Sequence, residues 1–357
     1  MASIAGSHPV SIRDYGRDRT LVQAWLALVA LMIVAMVVVG GATRLTQSGL
    51  SITQWQPIHG VIPPLSQAQW QEEFARYQQI PQYQELNRGM TLDEFKGIFW
   101  WEWSHRLLGR LIGAVVLLPL VFFWATGRIE PRLKPRIVAL FILGGVQGAI
   151  GWWMVKSGLS VRTSVSQYRL AIHLTFAAML LAYTVWLARG LKPGPLNGSR
   201  RRLRGIAGLL VGLTFLQIFL GGLVAGLHAG LTYNTWPLMD GGLAPSGLFA
   251  QSPWWRNLFE NIATVQFDHR LGAYLLFVVA WGHAWQTRRT PFNRAALGVA
   301  LLVSLQASLG IATLLTVVAL PLALLHQLGA VTALAAATVH LRRMWPAMPT
   351  PAAAVAG

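Results

Sequence analysis

Eight stretches of about 20 apolar residues run through this chain, and that is the length an α-helix needs to cross the hydrocarbon core of a bilayer. Inside a bilayer, backbone polar groups must be hydrogen-bonded within their own segment, so each stretch is predicted to be a transmembrane helix. The predicted spans are 20–41, 104–125, 136–155, 168–189, 204–227, 267–286, 295–316 and 320–341. The sequence therefore predicts an all-α membrane protein.

The composition agrees with this prediction. Only 11% of the residues are charged, against about 25% in soluble domains. The 16 Trp and 35 Gly residues suit membrane interfaces and close helix contacts, and the Gly-rich faces allow a homo-oligomer. Because the chain has no Cys, disulfides, iron–sulfur clusters and thiolate ligation of a metal are excluded.

The basic residues indicate an orientation. If the N-terminus is cytoplasmic, 18 of the 29 Lys and Arg residues but only three of the 12 acidic residues fall in cytoplasmic segments. Cytoplasmic loops of membrane proteins carry this excess. We therefore predict cytoplasmic N- and C-termini and assign the net charge of +17 to topology and contact with anionic lipid, not to nucleic acid.

The predicted spans divide the chain into two halves with short tails. The outer loops are long, and the spacing of Trp70, Phe74 and Tyr77 in the first of them predicts a short helix at the membrane interface. The predicted parts are a cytoplasmic tail 1–19, a first half 20–189 with outer loop 42–103, a basic cytoplasmic linker 190–203, a second half 204–342 with outer loop 228–266, and a cytoplasmic tail 343–357.

The two halves repeat each other. Matching positions are His105 and His269, Gln147 and Gln306, and His173 and His326. Each half has an even number of spans, so the repeats are parallel and related by an axis along the membrane normal. We predict two four-helix bundles.

Four histidines occupy equivalent places in these bundles. Each lies a few residues into an even-numbered span, near the outer face of the membrane, and each half has two of them on alternate helices. Ionisable residues inside a span are usually functional. Two opposed neutral imidazoles suit the axial positions of a haem held in a bundle core. The predicted iron ligands are His105, His173, His269 and His326.

Other interpretations of these histidines are open at this point. They could be hydrogen-bonded core residues, or Glu102 could join His105 in a zinc site, although the second half has Gln266 at the position of the carboxylate. Arg106 and Arg270 follow two of the histidines directly. They could pair with haem propionates or extend towards the membrane surface.

Glu102 makes the two halves different. It precedes His105 by three residues and so lies on the same helix face, one turn further out. A carboxylate beside only one site favours chemistry at that site and electron transfer at the other. Alternatively, Glu102 is a solvated residue beside Trp100, Trp101 and Trp103.

The remaining histidines give weaker signals. His59 and His228 lie on outer loops, where they could contact a propionate or relay protons, although loop polarity explains them equally well. His283 and His340, at the inner helix ends, are predicted to face the membrane interface.

Several runs of the sequence resemble the haem A synthase family, in particular its branch with a long first loop that mitochondria and related bacteria share. The runs are 40–64 (GGATRLTQSGLSITQWQPIHGVIPP), 102–109 (EWSHRLLG), 234–240 (NTWPLMD) and 266–272 (QFDHRLG). They agree in order and spacing, and the resemblance covers essentially residues 20–342.

The resemblance implies an oxidoreductase of the bacterial inner membrane. It would oxidise the C8 methyl group of haem O to a formyl group by successive hydroxylations, giving haem A for cytochrome oxidase. His105 and His173 would face the substrate haem, His269 and His326 would ligate a haem b, and Glu102 would match the family's essential carboxylate. Some family members have a cysteine pair in an outer loop, and its absence here excludes a thiol-based step.

The resemblance also implies partners, namely haem O as substrate, a haem O synthase that supplies it and an electron donor. The alternative function is a dihaem cytochrome b that carries electrons from quinol. A transporter would have inverted repeats. A haem farnesyltransferase would need paired aspartate motifs in loops between spans, and the only close pair is Asp14 and Asp18 in the tail.

Overall fold

Helices form the framework of the computed structural model, which describes residues 16–192 and 201–346. Eight of them have 23 residues or more, and three short ones lie in the two long loops. The helices are α1 (Gly16–Leu45), α2 (Gln67–Tyr77), α3 (Pro81–Glu85), α4 (Leu92–Ala125), α5 (Lys134–Lys156), α6 (Gln167–Gly190), α7 (Arg201–Gly226), α8 (Asn257–Glu260), α9 (Ile262–Thr287), α10 (Asn293–Leu315) and α11 (Leu320–Arg343).

Seven of the eight long helices are long and apolar enough to cross a membrane, which confirms an all-α membrane protein. The eighth, α9, corresponds to the predicted span 267–286 and is fully helical, but it falls below that level of hydropathy. Polar residues near both of its ends are the reason, among them His269, Arg270 and His283.

Helices α4 and α9 begin well before the spans predicted for them. Helix α4 starts at Leu92, within the predicted outer loop 42–103, where Thr91 and Glu94 form a capping box. The charged residues of this first turn conceal it from a search for apolar segments. In the same way α9 starts at Ile262, where the Asn261 side chain accepts hydrogen bonds from two backbone N–H groups. The last residues of the predicted outer loop 228–266 are therefore helical.

The short helix predicted around Trp70 is confirmed as α2. Its aromatic face packs against the early part of α4, with ring centroids 4.9 Å apart for Trp70 and Phe99 and 5.1 Å apart for Phe74 and Phe95. Tyr77 is fully buried. This face is therefore covered by protein, and not by lipid as an interfacial helix would be.

The long helices contact one another in two rings. One ring contains α1, α4, α5 and α6, and the other contains α7, α9, α10 and α11. The rings meet where α6 packs against α7 and α11, and where α1 packs against α11. Glycines allow a close approach here: a Cβ atom added at Gly222 would lie 2.8 Å from the Cα of Ala171. Small residues at such contacts are typical of membrane helices.

The end of the molecule that carries the two long loops is called here the loop side. At the opposite end, His283 and His340 are buried, and their Nε2 atoms lie 2.8 Å apart. The prediction that they face the membrane interface is therefore wrong, because both imidazoles are buried within the bundle and share a hydrogen bond between their Nε2 atoms. Most of the predicted tails and of the linker 190–203 lies outside the described residues.

Candidate functional site

One large cavity of about 1540 Å³ lies towards the loop side. This volume exceeds the roughly 300–1000 Å³ of pockets for drug-sized molecules, so it has room for more than one ligand of that class. Both rings of helices contribute to its wall. All seven predicted site residues line it, namely Glu102, His105, Arg106, His173, His269, Arg270 and His326. They lie on α4, α6, α9 and α11.

Each of the four histidines lies against a glycine of the preceding long helix. A Cβ added to Gly40 would lie 2.8 Å from Cε1 of His105, and one added to Gly151 would lie 2.9 Å from Cε1 of His173. In the second ring the distances are 3.3 Å for Gly221 and His269, and 2.8 Å for Gly310 and His326. At these positions a side chain would push the imidazole away.

Three of the four histidines also have a glutamine partner. Gln147, Gln217 and Gln306 each stand four residues before the glycine that their histidine contacts. Their Nε2 atoms donate to the backbone carbonyls of His173, His269 and His326 at 3.0, 2.9 and 2.7 Å. They also lie 3.0–3.1 Å from the Nδ1 atoms of these rings.

His105 is the exception. Met36 stands four residues before Gly40, and it offers no amide. Among the described residues the buried Nδ1 of His105 has no hydrogen-bond partner. The four histidines are thus alike in their glycine contacts and differ in what holds the ring.

The two histidines of the second ring are close to each other. Their ring centroids lie 6.5 Å apart with the planes at 81°. His105 and His173 reach the same cavity from α4 and α6.

Glu102 is buried, with 3% of its surface exposed, so the interpretation as a solvated residue is wrong. Its Oε2 accepts hydrogen bonds of 2.8 Å from the Ser51 hydroxyl and from the backbone N–H of Ile52. Its Oε1 accepts one of 2.6 Å from Nη2 of Arg106. The carboxylate therefore joins α4 to the start of the first long loop while it lines the cavity.

Arg106 and Arg270 hold loop backbone. Arg106 donates to the carbonyls of Ile52 at 2.7 Å and Gln54 at 2.8 Å, and Arg270 donates to the carbonyl of Tyr233 at 3.0 Å. Arg270 also donates to Gln266 at 3.2 Å, just as Arg106 pairs with Glu102. The second site therefore repeats the first with a neutral amide in place of the carboxylate.

One cavity contact was not predicted. Nη2 of Arg44, at the end of α1, lies 2.7 Å from Nε2 of His228 and donates to the carbonyl of Ala225 at 2.9 Å. This contact joins the two rings. Burial, and then the neighbouring Arg44, lower the pKa of His228 below its usual 6.5. His59, in contrast, is exposed.

The residues fit haem better than zinc. Within the described residues, no group of three or more His, Asp or Glu side chains is placed to hold a single ion. The cavity instead offers four imidazoles on a largely apolar wall, and neutral imidazole is an ordinary axial ligand of haem iron. The glycines of the neighbouring helices leave the space that the four imidazoles occupy.

Known proteins resemble the whole chain. Residues 23–338 match the family described as cytochrome oxidase assembly protein. A heme A synthase of Mesorhizobium japonicum is 57% identical over 98% of each chain, and one of Chelativorans sp. is 57% identical over 93% of each chain. A heme A synthase of Brucella ovis is 55% identical over 96% of this chain and 98% of its own. These relatives do not favour the alternative of a quinol-oxidising cytochrome. The chain belongs to the haem A synthase family of cytochrome oxidase assembly proteins.

Proposed function

We propose that this protein is the oxidoreductase that converts haem O into haem A for cytochrome oxidase. The C8 methyl group is hydroxylated in successive stages to an alcohol and then a gem-diol, which loses water to form the formyl group. One observation carries the assignment of the reacting site: Glu102 and His105 line the cavity on one helix, and the matching helix has Gln266 in place of the carboxylate.

The two pairs of histidines bind different haems. His105 and His173 hold the substrate haem O, and His269 and His326 hold a resident haem b. Bound haem b supplies one-electron transfer. The glycines beside the imidazoles make room for these rings at the cavity wall. The neutral Gln266 beside the second pair offers no proton-accepting group, which suits a site that only transfers electrons.

Glu102 serves the reacting half. Each oxidation stage moves protons, and a carboxylate one turn from His105 can relay them. The hydrogen bonds from Ser51 and Ile52 hold its Oε2 in place. Arg106 donates to the other carboxylate oxygen and, with Arg270, holds the loops over the cavity. Propionate pairing by these two arginines would use the donors that now hold loop carbonyls.

The charge pattern and the contact rings support the proposed membrane arrangement. All eight long helices, including α9, span the bacterial inner membrane as two parallel four-helix bundles, 20–189 and 204–342. The tails 1–19 and 343–357 and the linker 190–203 are cytoplasmic, and the haem sites lie near the outer face. Reporter fusions after Glu130 and Pro245 test this: an external Glu130 with a cytoplasmic Pro245 would reverse the orientation.

A haem O synthase is the natural source of the substrate, and an electron carrier of the membrane is the redox partner. Close helix contacts through glycine permit a homo-oligomer. Co-purification with a haem O synthase tests the first partner, since recovery equal to that of an unrelated membrane protein would argue against it.

The test of the function replaces Glu102. Glu102→Gln keeps an acceptor for Ser51 and Ile52 but removes the proton-accepting carboxylate. In cells that also contain a haem O synthase, we expect haem A to fall about 100-fold or more, the scale of acid–base catalysis, while haem O and its hydroxylated form accumulate. Chromatography of extracted haems measures this.

Glu94→Gln is the matched control. It makes the same change on the same helix at an exposed capping position, and a glutamine preserves a capping box. It should leave haem A unchanged. Normal haem A levels in Glu102→Gln would mean that Glu102 only holds the loop and takes no part in the reaction. An absence of haem A with the unchanged protein would refute the function itself.

A further inference from the structure

A second cavity lies at the end of the molecule opposite the loop side. It has a volume of about 310 Å³, which is at the lower end of the roughly 300–1000 Å³ of small-molecule pockets. The start of α5, the end of α6 and the end of α11 form it, so both rings of helices contribute. None of the described residues lines both cavities. Two arginines and three aromatic residues line the second one, namely Arg136, Arg342, Tyr183, Trp186 and Trp345.

Arg342 is the buried cation of this cavity. Only 6% of it is exposed, and its Nη1 donates to the backbone carbonyl of Pro346 at 2.8 Å. Its Nε and Nη2 have no acceptor among the described residues. The guanidinium also lies over the ring of Trp186, 5.3 Å from the centroid. These contacts fix the guanidinium but bring no negative charge to it, and a buried charge is costly unless it is paired.

The charges around Arg342 do not pair with it. Arg136 is a second cation of the same cavity, at an exposed position, and no acidic side chain belongs to the described part of the wall. The acidic residues described at this end are Asp18 and Glu130, and both pair with arginines of the segment between α4 and α5. An anion in the cavity would supply the missing counter-ion. Phosphate suits this role, because arginine forms charge-assisted hydrogen bonds with its oxygens.

The aromatic residues are of the kind found at a membrane surface. Trp186 and Trp345 lie with their ring centroids 6.2 Å apart, and Trp345 is 46% exposed. The Tyr183 hydroxyl donates to the backbone carbonyl of Arg136 at 3.0 Å. Trp and Tyr are enriched at the headgroup level of bilayers, and basic pockets between transmembrane helices bind anionic headgroups. A phospholipid of the adjacent leaflet is therefore the nearest source of a phosphate group.

We propose that this cavity binds the phosphate group of an anionic phospholipid, which belongs to the cytoplasmic leaflet in the proposed orientation. Arg342 is the buried anchor, and Arg136 is the second cation at the entrance. A zwitterionic headgroup fits less well, because it carries a cation that both arginines repel. Arg136 belongs to the first ring and Arg342 to the second, so one headgroup joins the two halves at the end opposite the haem sites. The inference does not depend on the proposed function.

The test uses the full-length protein in a non-ionic detergent and measures bound lipid by native mass spectrometry during titration with phosphatidylglycerol. Arg342→Gln should weaken binding about 10-fold or more, the loss expected when a charge-assisted hydrogen bond is removed. Arg343→Gln is the matched control. It removes the same charge from the next residue of α11, which is exposed and does not line the cavity, and it should bind phosphatidylglycerol as the unchanged protein does.

A second variant keeps the proposal testable if Arg342→Gln does not fold. Arg136→Gln changes an exposed position, and it should also weaken the binding of phosphatidylglycerol. Equal losses of affinity in Arg136→Gln and the control Arg343→Gln would overturn the site, because they would show attraction to the basic surface as a whole. So would an unchanged protein that binds no phosphatidylglycerol.

Phosphatidylcholine and inorganic phosphate identify the source of the phosphate group. The proposal predicts that phosphatidylcholine binds more weakly than phosphatidylglycerol, and that inorganic phosphate at the same concentration does not displace phosphatidylglycerol. Equal binding of the two lipids would contradict the requirement for an anionic headgroup. Displacement by inorganic phosphate would overturn the lipid as ligand and indicate a soluble phosphate compound.

Discussion

The surroundings of Glu102 decide whether it is a solvated surface carboxylate or a buried part of the site. Its place before His105 is visible in the sequence, but a solvated carboxylate and a buried one look the same there. In the structure three donors from Ser51, Ile52 and Arg106 surround it. A buried carboxylate needs such partners, and they identify Glu102 as part of the cavity wall.

His228 gives a pH-dependent prediction. Its pKa is lowered by burial and by Arg44, so in the range just below pH 6.5 the unfolded chain binds a proton that the folded chain resists. Stability is therefore retained above that range and lost as the pH falls through it. We expect the thermal unfolding midpoint in detergent to drop between about pH 7.5 and about pH 5.5.

His228→Asn isolates this contribution. His228 has a left-handed backbone with φ 53°, which Asn tolerates better than most residues, and an amide does not titrate. The variant should lose less stability over the same pH range. Equal losses in both proteins would show that protonation of His228 does not weaken the Arg44 contact.

The sequence predicted the cavity histidines because a charged or polar ring in an apolar span stands out. It identified Gln147 and Gln306 only as markers of the repeat and missed Gln217 and Met36. Their common spacing of four residues before a glycine is a signal that could have found them. It has meaning only once the glycine is known to touch the histidine of another helix.

Helices position the histidines through close contact, and this can be tested on α10. A Cβ added at Gly310 would lie 2.8 Å from Cε1 of His326, so Gly310→Ala must displace the imidazole. Overpacking of this kind costs about 1–3 kcal/mol. We expect Gly310→Ala to lower the content of resident haem b, measured by the absorption spectrum of the purified protein.

Gly298→Ala is the matched control on the same helix. A Cβ there meets no atom within 4 Å, and alanine favours a helix over glycine by about 1 kcal/mol. It should retain haem b and stability. Equal haem content in the two variants would contradict the idea that the glycine positions His326.

The limits of prediction at the level of helices are physical. Apolar spans were found because hydropathy reports the bilayer-sized part of a helix. The first turns of α4 carry Asp93, Glu94 and Lys96, so their hydropathy is too low to predict a span. The capping box at Thr91 marks where the helix starts. The helical spacing of Trp70, Phe74 and Tyr77 was enough to predict α2. It did not show that the early part of α4 covers the aromatic face of this helix.

At the scale of the whole molecule, the sequence predicted two related halves but not the cavity that they share. The repeat places histidines at equal depth. Which helices of the two halves touch depends on small residues such as Gly222, which packs on Ala171. Arg44 and His228 lie 184 residues apart in the chain, and only the folded structure shows that they meet.

The central claim is that one cavity holds two haems with different roles. Its most direct measurement is the haem content of purified His173→Ala and His269→Ala, extracted from cells that contain a haem O synthase and separated by chromatography. The account predicts that His173→Ala loses haem O and its products but keeps haem b, while His269→Ala loses haem b but still binds haem O. Loss of the same haem from both variants would contradict the division into a substrate site and a resident site.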